Sequence, residues 1–138
     1  MDITTHVDFS RYVEFVDTVT SKESKDAVAF TQRINGLQSQ GCDIQRLLTA
    51  AVGISAEGGE FMEIVKKIIF QGKPWNQDNI EHLQIELGDI LWYVAQVCIA
   101  LDVKFDDVVL RNVNKLMKRY PEGAFDVYFS ENRASDDR

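Results

Sequence analysis

The segment SAEGGEFMEIVKK (Ser55–Lys67) indicates an α-helical fold, because its apolar residues recur with the period of an α-helix. With about 100° between successive residues, Phe61 and Ile64 fall on one face of this helix. Glu57 lies within that face, and Glu60 lies about 60° to one side of it. An ionised carboxylate turned toward a core is costly to desolvate unless something cationic faces it. The segment therefore predicts a helix and a partner for two inward-facing acids.

Helical spacing of apolar residues continues along nearly the whole chain, and no stretch shows the strict alternation that is typical of a strand. Gly and Pro together predict a loop at Gly72–Asn76, and Pro121 ends the last helix. We expect an all-α single domain over residues 1–138, built as a bundle of four to five helices. The predicted helices are Phe9–Val19, Lys25–Leu37, Ile44–Val52, Glu57–Phe70, Asn79–Leu101 and Val108–Tyr120, with the third and fourth joined through Gly53.

The composition argues against two classes of partner. The 138 residues carry a formal charge of -7, whereas binding to nucleic acid or to an anionic membrane needs a basic surface. No apolar run approaches the roughly 20 residues of a membrane span, and the N-terminus lacks the basic and apolar regions of a signal peptide. The two cysteines, Cys42 and Cys98, form no disulfide framework. We expect a cytoplasmic protein that binds neither nucleic acid nor membrane.

A second acidic pair has the same placement as the first. In IELGDILWYVAQV (Ile85–Val97), Glu86 and Asp89 are three residues apart and lie in or beside the apolar face. If the two helices pack through these faces, the four carboxylates converge and need a cation between them. All-oxygen ligands suit Mg²⁺ or Mn²⁺, and no cluster of His and Cys offers the set that zinc prefers. We expect His6 and His82 to be ordinary surface or boundary residues rather than ligands.

Cationic residues that could contact a phosphate chain also occur. Lys115 and Arg119 are four residues apart and Asn112 lies about one turn earlier, so the three share a helix face. A solvated basic face, favourable near the end of a helix, is the alternative explanation of this spacing. Lys67 and Lys73 could reach the same phosphates.

Three motifs in order give the chain a family resemblance: EGGE (Glu57–Glu60), ELGDILWY (Glu86–Tyr93) and NVNKLMKRYPEG (Asn112–Gly123). Together they resemble the MazG-type all-α nucleoside triphosphate pyrophosphohydrolases, whose hallmark is an ExxE on one helix and an ExxD on the next. The resemblance covers about Leu47–Phe125. It implies a catalytic core at residues 43–125, preceded by a helical extension at 1–42. The tail at 130–138 is polar, and we expect it to be frayed.

The resemblance implies Mg²⁺-dependent hydrolysis of a nucleoside or deoxynucleoside triphosphate to the monophosphate and pyrophosphate, with Mn²⁺ as a substitute metal. The implied metal ligands are Glu57, Glu60, Glu86 and Asp89. Glu60 and Glu57 are the catalytic candidates, with Glu60 as the residue that takes a proton from the attacking water. The candidate substrate contacts are Asn112, Lys115, Arg119, Lys67 and Lys73.

Several expectations stay open at this point. Ala56 stands where many members of the family carry another Glu, which bears on the number of metal ions. Leu91, Trp92 and Cys98 lie beyond the main apolar face of their helix, and with the family resemblance they predict a homodimer or homotetramer. Two alternative functions remain: the same fold acting on an alarmone or another pyrophosphate-containing nucleotide, and a non-enzymatic helical interaction module.

Overall fold

The computed structural model of the protein describes residues 8–133, and within that range the chain forms helices and no strands. The all-α prediction is confirmed for these residues. The five long helices match the predicted ones, and two short helices were not predicted: α2 lies in the expected polar break, and α7 follows the last predicted helix. The helices are α1 (Phe9–Val19), α2 (Lys22–Lys25), α3 (Ala27–Ser39), α4 (Ile44–Phe70), α5 (Gln77–Ala100), α6 (Phe105–Arg119) and α7 (Val127–Glu131).

Internal contacts divide the chain into two compact units, Met1–Ile44 and Gln45–Arg138. The first unit contains α1–α3. Asp8 and Asp26 cap α1 and α3, because each side chain accepts a hydrogen bond from a backbone N–H in the first turn. Gly41 ends α3 with a φ of +83°, a left-handed conformation that glycine adopts without strain.

The second unit begins with α4, which runs without interruption for 27 residues and passes through Gly53 as predicted. Gly72, with a φ of +70°, lets the chain reverse after α4. The Lys73 N–H donates to the Lys67 carbonyl at 3.1 Å and so satisfies a carbonyl of the last turn. Asn76 then caps α5 by accepting a backbone N–H at 3.1 Å. The predicted loop is therefore a compact connection of six residues, 71–76.

Helices α4 and α5 form an antiparallel hairpin whose register is fixed by two contacts. Near the open end of the hairpin, Arg46 Nη1 donates to Gln96 Oε1 at 2.5 Å. Further along, the Tyr93 ring lies directly against the backbone of Gly53. Ile64 on α4 is buried, as the predicted apolar face requires. Because α4 and α5 run in opposite directions, the acids of α4 lie opposite the acids of α5.

The end of α5 leads directly into α6. Asp102 adopts a φ of +51°, and the Val103 N–H donates to the Cys98 carbonyl at 3.0 Å, which closes the last turn of α5. Helix α6 carries acidic residues in its first turn and Lys118 and Arg119 in its last turn. Both placements are favourable with the helix dipole. Cys42 and Cys98 are free thiols.

Helix α5 is long and apolar enough, by length and composition alone, to cross a membrane. Glu86 and Asp89 nevertheless lie near its middle, and charged side chains at the centre of a bilayer are costly. The Tyr93 ring of the same helix packs on α4. These features favour packing against protein over a membrane span.

The two ends of the chain lie partly outside the described range. His6 falls outside it, as do residues 134–138 of the predicted frayed tail. Of that tail, Ser130 and Glu131 belong to α7. The expected division into a core at 43–125 and an N-terminal extension stays a prediction.

Candidate metal centre

Three of the four predicted acidic ligands come together between α4 and α5. Glu57, Glu86 and Asp89 each offer one carboxylate oxygen, and these oxygens all lie within 4.8 Å of one another. Two oxygens on opposite sides of one Mg²⁺ ion are roughly 4.2 Å apart, from metal–oxygen distances of about 2.1 Å. Small side-chain adjustments would therefore place all three oxygens on a single ion. The cluster is all-oxygen, which suits Mg²⁺ or Mn²⁺ better than zinc.

Exposure to solvent differs across the cluster. Glu86 is buried, with 8% of its surface exposed, Glu57 is half-buried and Asp89 is exposed. One side of the cluster thus faces the hairpin and the other faces solvent. This is the arrangement that a site needs if an ion is to be held by protein on one side and reached by a ligand on the other.

The electrostatics of the cluster are those of acids held close together without a cation. Burial raises the pKa of the Glu57 carboxyl, and the negative charges of Asp89, Glu86 and Glu60 raise it further. A divalent ion between the carboxylates would remove this repulsion and favour the ionised form. The raised pKa therefore agrees with the expectation that these acids need a cation.

The fourth predicted ligand, Glu60, is not among the three. It is exposed on α4, one turn after Glu57, but its charge still contributes to the raised pKa of Glu57. The sequence placed it about 60° to one side of the apolar face, which agrees with its exposure. Glu63 points elsewhere, because it pairs with Lys66 and, at 3.1 Å, with Lys67.

His82 contacts the cluster, although it was predicted to be an ordinary surface or boundary residue. Its Nε2 atom lies 3.0 Å from Oε1 of Glu86, four residues later on α5. The available signal was the spacing alone, since residues four apart on a helix are neighbours. That spacing is too common to single out a histidine.

The predicted substrate-contacting residues occupy three places. Lys67 lies near the end of α4 in its ion pair with Glu63, and Lys73 is half-buried in the connection to α5. On α6, Asn112 is exposed whereas Lys115 and Arg119 are half-buried. Their contact with a substrate stays a prediction.

The segment that carries this cluster is similar to a known protein family. The family described as the MazG nucleotide pyrophosphohydrolase domain matches residues 45–124, more than half of the chain. The chain belongs to this family. The MazG domain of the chain includes all three clustered acids, Glu60 and the predicted substrate contacts on α6. The predicted family is thereby confirmed.

A phage protein is similar over much of the same length. Gene 37 protein of Mycobacterium phage L5 is 43% identical over 84 residues, which are 59% of this chain and 74% of that protein. No solved structure matches the chain. Membership of the MazG family indicates an enzyme of the nucleotide pyrophosphohydrolase type, and the family is typically metal-dependent.

Proposed function

We propose that the protein hydrolyses a nucleoside or deoxynucleoside triphosphate to the monophosphate and pyrophosphate, with Mg²⁺ as its cofactor and Mn²⁺ as a substitute. The observation that carries the proposal is the convergence of Glu57, Glu86 and Asp89 within 4.8 Å in a chain of the MazG family. A phosphate chain is strongly anionic, so three carboxylates could approach it only through a cation. The acidic cluster would otherwise repel the substrate.

Glu57, Glu86 and Asp89 would hold the metal, and Glu60 would complete the set or act beside it. When bound, a divalent ion of this kind neutralises phosphate charge and makes a bound water a better nucleophile. The half-buried hairpin side of the cluster fixes the ligands, and the solvent side admits the phosphates. This division matches the exposure of Asp89 and the burial of Glu86.

Glu60 is our candidate for the group that accepts a proton from the attacking water. It lies beside the clustered acids but outside them and is exposed, so its oxygens are available to a water molecule at the open side of the site. Glu57 is the second candidate, because a carboxylate that holds an ion through one oxygen keeps its other oxygen available to accept a proton. In either case the proton moves from water to a carboxylate oxygen as the new oxygen–phosphorus bond forms. The anhydride bond between the α- and β-phosphates breaks, with pyrophosphate leaving after attack at the α-phosphorus or the monophosphate leaving after attack at the β-phosphorus.

The basic residues would receive the rest of the substrate. Lys115 and Arg119, with Asn112 one turn earlier, present donors on one stretch of α6 that suit phosphate or sugar oxygens. Lys73, near the start of α5, and Lys67, at the end of α4, are further candidates. Lys67 would have to exchange its ion pair with Glu63 for a phosphate.

We also propose that the chain works in the cytoplasm as a homodimer or homotetramer. Leu91 and Trp92 on α5 are 51% and 55% exposed, as expected if a second copy covers them. The free cysteines agree with a reducing compartment.

The test is a product assay with a matched variant. Wild-type protein is incubated with a panel of nucleoside and deoxynucleoside triphosphates plus Mg²⁺, and the products are separated by ion-exchange chromatography. We expect monophosphate and pyrophosphate, with turnover abolished in Glu86→Gln and preserved in Glu81→Gln, an exposed acid of the same helix. Release of orthophosphate would refute the reaction. Turnover of alarmones alone would show that the substrate is an alarmone and not a nucleoside triphosphate. The absence of Mg²⁺-dependent turnover of any nucleotide would favour the non-enzymatic interaction module.

A further inference from the structure

We propose that His82 is a positioning residue that holds the carboxylate of Glu86 in the orientation needed to bind the metal. The inference rests on the proposed function, since it concerns the same metal centre. It adds a residue that lies outside the three clustered acids and outside the ExxE and ExxD motifs. His82 would act through Glu86 and need not touch the ion or the substrate.

The distance between the two side chains is that of a hydrogen bond. His82 Nε2 lies 3.0 Å from Glu86 Oε1, within the range of a good N–H···O bond. Because a carboxylate oxygen can only accept, the proton of the bond belongs to Nε2. The His82 side chain is 49% exposed whereas that of Glu86 is 11% exposed, so a surface residue reaches inward to a buried acid.

A buried carboxylate at this place has a particular need for such a donor. Its neighbours in the cluster, Glu57 and Asp89, are acceptors like itself, and repulsion among the three favours turning the carboxylates apart. The terminal torsion of a glutamate is broad and soft, so nothing in the side chain itself fixes its plane. One N–H bond to Oε1 restricts the rotation of that plane and uses only one of the lone pairs of the carboxylate. Ligating carboxylates are commonly held in this way by a second hydrogen-bonding partner.

The same helix offers a matched contact without a metal-site partner. Gln77 Nε2 donates to Glu81 Oε1 at 3.0 Å, also across four residues. Both residues of that pair are exposed, and Glu81 is not one of the clustered acids. If the His82 contact were only a surface pair that supports the helix, removing either contact would have the same small effect on stability and none on Mn²⁺ affinity. Comparing variants of the two contacts therefore distinguishes support of the helix from positioning of the metal ligand.

The experiment measures Mn²⁺ binding to the intact protein by the electron paramagnetic resonance signal of free Mn²⁺, without nucleotide. His82→Leu removes the donor, His82→Gln keeps an N–H group at similar reach, and Gln77→Leu is the control. We expect His82→Leu to weaken Mn²⁺ binding about tenfold or more. His82→Gln should stay within about threefold of wild type, and Gln77→Leu should not change affinity. Thermal melts with EDTA should show equal stability in His82→Leu and Gln77→Leu.

Two results would overturn the inference while leaving the proposed function intact. One is wild-type Mn²⁺ affinity in His82→Leu. The other is an equal loss of Mn²⁺ affinity in His82→Leu and His82→Gln, because glutamine keeps an N–H donor and the donor would then not explain the loss. No Mn²⁺ binding by the wild-type protein would refute the metal centre itself, and the inference with it.

Discussion

Replacing Gly53 by alanine tests the close approach of α4 and α5. A Cβ atom on Gly53 would lie less than 3.0 Å from three carbons of the Tyr93 ring, whereas nonbonded carbons normally lie about 3.5–4.0 Å apart. The ring, or the whole of α5, would have to move by roughly 1.5 Å. Overpacking costs about 1–3 kcal/mol, and a clash this severe belongs to the upper part of that range, about 2–3 kcal/mol. Alanine recovers about 1 kcal/mol through its better helix propensity, so a net loss of about 1–2 kcal/mol is expected.

The assay is thermal unfolding followed by circular dichroism in EDTA, with the loss corresponding to a fall of roughly 3–8 °C in Tm. Gly36→Ala is the control, because nothing lies within 4 Å of a Cβ at that position in α3. It should stabilise the protein by about 0.5–1 kcal/mol. A double variant with Tyr93→Ala should remove most of the cost of Gly53→Ala, since the ring that clashes is gone. Equal stabilisation by Gly53→Ala and Gly36→Ala would refute the close approach.

Three further predictions address charge, capping and association. In EDTA, the raised pKa of Glu57 means that the stabilisation due to this carboxyl is complete below its ordinary pKa of 4.5 and is lost as pH rises through the raised pKa. Thermal melts from acidic to neutral pH should therefore show a smaller loss of stability in Glu57→Gln than in wild type. The pKa of Glu63 is lowered, mainly by its hydrogen bond from Lys66, so its carboxylate stabilises the protein above its ordinary pKa and this stabilisation is lost as pH falls through the lowered pKa. Glu63→Gln should therefore be less stable than wild type at neutral pH. Asp26→Ala should destabilise the protein by about 1 kcal/mol in urea unfolding, because the side chain caps α3, and turnover should not change. Trp92→Glu should lower the mass seen by sedimentation equilibrium if a second copy covers α5, and an unchanged mass would count against that face.

Much of the fold follows from the spacing of apolar residues. The continuation of the helix through Gly53 was among the predictions, and α4 does run through that glycine. The short helix Val127–Glu131 was missed, because five residues are fewer than two helical turns and show no reliable period. Its start depends on Asp126, which accepts the Tyr128 N–H at 2.7 Å. That local hydrogen bond is a matter of geometry rather than of periodicity.

The candidate site was predictable in part for the same reason. Helical phase brought Glu57, Glu86 and Asp89 onto facing sides, and the structure places them together. Phase predicted that Glu60 would converge with them as well, but Glu60 lies outside the three. A residue about 60° from the apolar face can turn toward a cluster or toward solvent. The contact of His82 with Glu86 depends on side-chain torsions, which the order of residues does not determine.

The six-residue connection between α4 and α5 has a consequence for how the protein acquires its activity. All the clustered acids lie on a single helical hairpin, so their convergence requires closure of only a short loop and no contact with α6. During synthesis this part of the chain can assemble as soon as α5 has left the ribosome. An ion bound at that stage would hold the hairpin closed while the remaining helices are made. The proposed cofactor would then stabilise an early folded segment as well as take part in catalysis.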